Sequence, residues 1–294
     1  MKIKYFQNHN ISALQAVHAF TLIEIAIVLL IIGSSVGSVL VGKDIIRSSE
    51  LRKLTTDFQH YQQAVVIFEN KYRSLPGDMK TATFHWGSVG GNGSNHDCMI
   101  IASHDEKTCN GNSDGAIGLG RLPSGMSRKE AIRHQSETTR FWQHLGNADL
   151  ISGNYTGKSF ATLFGSAFMP IPKENNSPNS GISDTYWMTQ HAGNSTGSTV
   201  HFANTDNSHY LYLVSSDTDP SFILVPDHAK ILTPLEAFNI DDKIDNGLPN
   251  QGRVRSNKTN CTTTSGMNPN QDHNSRYDID KPDASYVCSL EFYY

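Results

Sequence analysis

The sequence predicts an α+β fold: one long N-terminal helix, then a head built on an antiparallel sheet with cysteine-closed loops. Three observations carry this. Residues 20–41 form a largely apolar stretch whose only charge is Glu24. From Leu51 to Tyr72, apolar side chains recur at alternating three- and four-residue spacing. Past residue 80, short β-favouring segments alternate with Gly, Asn, Pro and Ser turns.

The totals set the frame. The chain has 294 residues, 37% hydrophobic and 18% charged, with a formal net charge of −4. That is enough chain for a real core, and aromatic and β-branched residues run through it, so the class is globular rather than disordered. No stretch combines dense Lys and Arg with stacking aromatics, so no nucleic acid is expected as a main partner.

The apolar run comes first along the chain. At about 1.5 Å per residue, residues 20–41 cover roughly 33 Å as a helix, the thickness of a bilayer core. Three membrane readings compete. A secretory signal peptide would use the small residues at 33–37 for cleavage, but its polar lead of residues 1–19 is long and Glu24 interrupts its core. A plain signal anchor conflicts with the charges: Lys2 and Lys4 precede the span, while Lys43, Arg47, Arg52 and Lys53 follow it. The third reading accounts for Glu24. A carboxylate inside an apolar span is costly and marks function. If the chain is cut before Phe20, a new α-amino group appears at the helix start. Glu24 of a neighbouring subunit can pair with it, offset the desolvation of both charges and fix the stagger of packed helices.

The segment Ala19-Phe20-Thr21-Leu22-Ile23-Glu24, followed by an apolar run, resembles the signal of type IV prepilins and type II secretion pseudopilins. The resemblance covers roughly the first fifty residues. It implies cleavage between Ala19 and Phe20 by a membrane prepilin peptidase, N-methylation of Phe20, and a role for Glu24 in assembly. The family usually has Gly before the cut; Ala19 keeps the small size. Residues 1–19 are then a leader, 20–72 the assembly helix with 20–41 transmembrane, and 73–294 an exported head. The implied partners are other pilin or pseudopilin subunits, the peptidase and an inner-membrane assembly platform. The implied location is the bacterial inner membrane, head outward, and then a periplasmic pseudopilus or an extracellular pilus. The head's size suits a minor or tip subunit. The other classes kept open are a membrane-anchored exported adhesin or binding protein and an anchored hydrolase.

Further elements follow in order. The stripe Leu51, Leu54, Phe58, Tyr61, Val65, Phe68, Tyr72 is one apolar seam, expected to pack on the protein's own core. Gly33 and Gly37 form a small-xxx-small pair suited to close helix contact. Pro76-Gly77 stops the helix. A second helix opens at Ser127 with a capping box to Glu130 and runs to about Leu150. Short strands are expected at 186–189, 199–203, 209–214 and 222–225. Thr233-Pro234-Leu235-Glu236 is another capping box, opening a short helix. Two more segments, 72–78 and 237–247, also resemble stretches of pilin-like proteins.

The four cysteines, Cys98, Cys109, Cys261 and Cys288, form no Cys-x-x-Cys. In an exported chain they read as two disulfides. Three pairings exist; the local one, Cys98 with Cys109 and Cys261 with Cys288, is preferred. The second loop resembles the disulfide-bound C-terminal loop of many pilins.

Candidate chemistry is sparse, and no enzyme activity is expected. Asn110, Asn112 and Asp114 offer oxygens at alternate positions before Gly115, like the first half of a calcium loop. Arg121 stands where the bidentate Glu belongs, and Glu137 is the residue that can fold back to replace it. The alternative is a plain Asn/Gly turn. Asp241, Asp242 and Asp245 are a second acidic group, set against a solvated helix end. Gly193-Asn194-Ser195-Thr196-Gly197 matches a nucleophile elbow, but the segment after it reads as a strand where a helix is required. The thirteen histidines form no His-x-His or His-Glu-x-x-His, and His144 is expected to pack.

Overall fold

The structure, a computed structural model, describes residues 20–89, 105–117, 128–157, 178–182, 185–191, 208–215, 229–256, 260–263, 275–280 and 286–294. The chain forms two compact units, Met1–Ser48 and Ser49–Tyr294. Helix α1 (Leu22–Tyr72, 51 residues) contributes to both.

In the first unit α1 is the described element. It is long and apolar enough, by length and composition, to cross a membrane. Leu22, Ile23, Leu29 and Leu30 are exposed, as are Val36, Val39 and Val41. The serines do not spoil this face. Ser34 and Ser35 donate to the carbonyl of Ile31 at 3.0 and 2.7 Å, and Ser38 donates to Ser34 O at 2.9 Å. Hydroxyls satisfied by their own helix can enter an apolar medium at low cost. Gly33 and Gly37 have nothing within 4 Å of a Cβ position, so a neighbour can approach closely there.

The second unit is α+β. The seam predicted from spacing faces its core: Leu54, Phe58, Tyr61, Val65 and Phe68 are buried, with Leu51 and Tyr72 packed at its ends. Opposite lies a four-stranded antiparallel sheet of β1 (Thr185–His191), β2 (His209–Ser215), β3 (Val254–Arg255) and β4 (Glu291–Tyr293), in the order β1-β2-β4-β3. Side chains alternate by face, as the pleat requires. Trp187, Leu211, Leu213 and Phe292 join the helix side. Met188, Tyr210, Tyr212, Val214 and Tyr293 form a second cluster. Phe58 meets Phe292 at 5.1 Å, and Tyr61 meets Trp187 at 5.9 Å. Each such burial contributes about 1.5–3 kcal/mol. Lys53 straps the segment before β1 to the helix, pairing with Asp57 at 2.6 Å and donating to Ser180 O at 3.0 Å.

The other helices are α2 (Ala82–Trp86), α3 (Arg128–Asn147) and α4 (Pro234–Ile244). The α4 capping box forms as predicted, with Thr233 N donating to Glu236 Oε2 at 2.9 Å and Glu236 N to Thr233 Oγ1 at 3.3 Å. Helix α3 ends three residues before the expected Leu150. Asp149 takes a left-handed φ of 57°, its N–H bonds Gly146 O, and Leu150 N–H bonds Leu145 O. This is a Schellman closure with Asp in the place usually held by Gly. Helix α2 was not expected; Thr81 gives it no side-chain cap, and Asn110 Oδ1 accepts from Thr83 N at 2.8 Å instead. Strand β3, in the tail 250–294 expected to be loop and strand, owes its two residues to pairing with β4.

Cys261 and Cys288 are disulfide-bonded, with Cα atoms 5.0 Å apart. Cys109 is disulfide-bonded as well. Cys98, Ala19, Arg121, Ser127, the elbow motif at 193–197 and the expected strands at 199–203 and 222–225 lie outside the described residues.

Candidate functional site

Two places gather the residues singled out by sequence. The first is the start of α1. Phe20 is exposed and precedes Thr21, which caps the helix. Thr21 N and Thr21 Oγ1 both donate to Glu24 Oε2, at 2.8 and 2.9 Å, and Glu24 N returns a bond to Thr21 Oγ1 at 3.3 Å. This is a capping box. Its effect is to hold the Glu24 carboxylate beside the backbone at residue 21, one residue from Phe20 N. Thr21 was overlooked in the sequence reading, although Thr-x-x-Glu is a capping signature.

The second place is the loop 110–117 of the head. Asp78, Asp114 and Glu137 bring carboxylate oxygens within 4.8 Å of one another. The chain positions each in a different way. Gly77, with φ 85°, leads the chain so close to α3 that a Cβ would strike the Glu137 carbonyl. Asp78 thereby points into the loop and accepts from Ser113 N, from Asp114 N at 3.2 Å and from Gly115 N at 3.0 Å. Burial pushes the Asp78 carboxyl up; the bonds from Gly115 and Ser113 work against that. Glu137 does fold back: its Oε1 accepts from Asn112 N at 3.0 Å. Asp114 Oδ1 caps Ala116 N at 2.9 Å.

Of the three sequence candidates, Asp114 lies in this cluster. Asn110 turns to α2, and Asn112 uses its side chain on Asp114, accepting from Asp114 N at 2.9 Å and donating to Asp114 Oδ2 at 2.8 Å. Asp78 was missed because nothing in its spacing ties it to a loop some 35 residues away. Asp78, Asp114 and Glu137 are the residues that can hold a divalent cation such as calcium. Their oxygens already organise the loop through backbone donors, which is what the plain-turn reading requires.

Ile117 closes the loop. Its N–H donates to His209 Nε2 at 3.2 Å, and its carbonyl accepts from His191 N at 2.8 Å. Burial, then the neighbouring His191, holds the His209 imidazole down at about 4. Below the loop, His144 is fully buried, stacked on Phe68 and tilted against Trp86. Gly77 N donates to its Nδ1 at 2.9 Å, while Nε2 faces Thr108 Oγ1 at 3.0 Å. The acidic group on α4 is structural: Asp241 accepts from Tyr277 Oη at 2.8 Å and Gly247 N at 3.2 Å, and Asp245 accepts from Arg253 N. Asp241 is buried, so the helix end is not simply a solvated one.

Comparison with protein-family models, curated proteins and solved structures finds no match to this chain.

Proposed function

We propose that this chain is a type IV pilin or type II secretion pseudopilin subunit, cut before Phe20, N-methylated there, and assembled through α1. The observation that carries the reading is Thr21-capped Glu24 at the entrance of a helix that begins as an exposed apolar span and ends as a core helix of the head. Cleavage would create an amine at Phe20 with which Glu24 of a neighbouring subunit can pair, its carboxylate held at the helix start by Thr21. A buried charge pair of that kind is strongly weakened by loss of one partner. The head would lie outside the cytoplasm, consistent with its disulfides. Its size supports a minor or tip position.

The test is co-expression with a prepilin peptidase and mass measurement of the N-terminus. The expected product begins at methylated Phe20. Glu24→Ala should still be cleaved, yet be lost from sheared filaments. A chain still beginning at Met1 would remove the reading. A cut near Gly37 would make the protein an ordinary secreted one.

A further inference from the structure

We propose that Asn246 is a self-modifying site, converted within the folded head to aspartate and isoaspartate through a succinimide closed with Gly247, a chemistry separate from the filament reading. The pair Asn246-Gly247 follows the last turn of α4, and Asn246 is exposed. Gly247 sits in the left-handed region at φ 69°, and a Cβ there would lie 2.9 Å from Phe238 Cε2. Glycine is therefore required, and its bare Cα leaves the peptide nitrogen open to the preceding side chain.

Three contacts gather on this dipeptide. Gly247 N–H donates to Asp241 Oδ1 at 3.2 Å. Asn246 N–H faces the same carboxylate. Leu248 N–H donates to Asn246 Oδ1 at 2.8 Å. Asp241 is fully buried, and its other oxygen accepts from Tyr277 Oη at 2.8 Å. Burial pushes its carboxyl up to about 6, against the bonds from Tyr277 and Gly247, with the charge of Asp245 adding to the rise. It is thus a better proton acceptor than an exposed carboxylate, yet ionised at pH 7.5.

Ring closure needs a base on the Gly247 N–H and a donor on the Asn246 carbonyl, and both are in place. The Gly247 nitrogen gives its proton to Asp241 and attacks Asn246 Cγ, forming the N–Cγ bond. Charge that develops on Oδ1 is met by Leu248 N–H. Asp241 returns the proton to Nδ2, the Cγ–Nδ2 bond breaks, and ammonia leaves. Water then opens the ring: at Cγ it gives aspartate, at the backbone carbonyl isoaspartate. The N–H bond to Asp241 lies in the peptide plane, and attack uses the face of that plane, so the two do not compete. Asn110-Gly111, the other described pair of this kind, lacks the base. Its Gly111 N–H donates to Met79 O at 2.9 Å, a carbonyl that takes no proton. The donor on Asn110 Oδ1, Thr83 N–H at 2.8 Å, leaves that nitrogen unactivated. Reaction at 246 adds a charge beside Asp241, Asp242 and Asp245 at the C-terminal end of α4, where negative charge is unfavourable.

The test ages the full chain in detergent at pH 7.5 and follows it by peptide mapping, with fragmentation that separates isoaspartate from aspartate. Product should gather at 246 at least about tenfold faster than at 110. Asp241→Asn should slow position 246 by at least about tenfold and leave 110 unchanged. That variant is also expected to be more stable, so a pH profile separates the base from local opening. With Asp241 as base, the rate at 246 rises through about pH 6 and levels off near 7. Hydroxide acting on an opened loop would raise it about tenfold per unit throughout. In the urea-unfolded chain, 246 and 110 should react within about threefold of each other. Any of four results would overturn the proposal: no product at 246 in the native chain, equal rates there in Asp241→Asn and the native chain, a rate that climbs about tenfold per unit from pH 6 to 8, or the native ratio of 246 to 110 kept in urea.

Discussion

Acid should unfold the head in part through His144, and the size of this effect follows from its surroundings. The ring has no exposed surface. Its Nδ1 accepts the Gly77 N–H at 2.9 Å, so this nitrogen must be unprotonated in the native state. Burial, then the charge of Arg140, holds the imidazole down at about 3, against the bond to Cys109 O. In the unfolded chain a histidine titrates near 6.5. Between these values the unfolded state binds a proton that the native state refuses, so stability falls as pH drops from about 6.5 to about 3. At about 1.4 kcal/mol per unit, the full loss is on the order of 4–5 kcal/mol. The perturbation is His144→Asn, which keeps an acceptor near the Gly77 N–H but cannot titrate. At pH 7 the variant should be less stable by about 2–4 kcal/mol, from lost ring packing. That gap should shrink by about 1.4 kcal/mol for each unit below pH 6.5, because only the native protein carries the penalty. Urea titrations of both proteins at pH 7, 6, 5 and 4 measure it, and His209 and the carboxylates cancel in the difference. A gap that stays constant across this range would refute the reasoning.

Two further outcomes follow from the head. Burial pushes Asp241 up to about 6, against the bonds from Tyr277 and Gly247, so this residue costs stability as pH rises from about 4 to 6 and remains unfavourable above. Asp241→Asn should therefore be more stable than the native chain by about 1–3 kcal/mol at pH 7.5, with the gain gone near pH 3 in urea titrations. Paired Cys261→Ser and Cys288→Ser opens a loop with a sequence separation of 27 and should cost about 3–4 kcal/mol, read as a lower urea midpoint.

Much of the fold was legible because it is written in periodicity. The Leu51–Tyr72 seam, the Thr233/Glu236 box and the strand at 209–214 each carry a local signal, and each appears where that signal puts it. What escaped is long-range. Helix α2 is capped from Asn110, β3 exists through β4, and Asp78 meets residues 113–115 only after the turn at Gly77. The loop 110–117 shows both sides of this. Asp114 and the folding back of Glu137 could be read from residue types and offsets. That Asn110 would be spent on a helix start depends on packing that no local window contains.

The serines of α1 bear on how its first unit can meet a neighbour. Ser34, Ser35 and Ser38 direct their hydroxyls to carbonyls of their own helix, and Gly33 and Gly37 add no side chain. Between two such helices, then, the side without side-chain bulk at Gly33 and Gly37 is the one that shape favours for close contact. In a filament, Glu24 would be the lone electrostatic detent of each subunit in its apolar span. The serine hydroxyls would take no part in that contact, because each already bonds a carbonyl of its own helix.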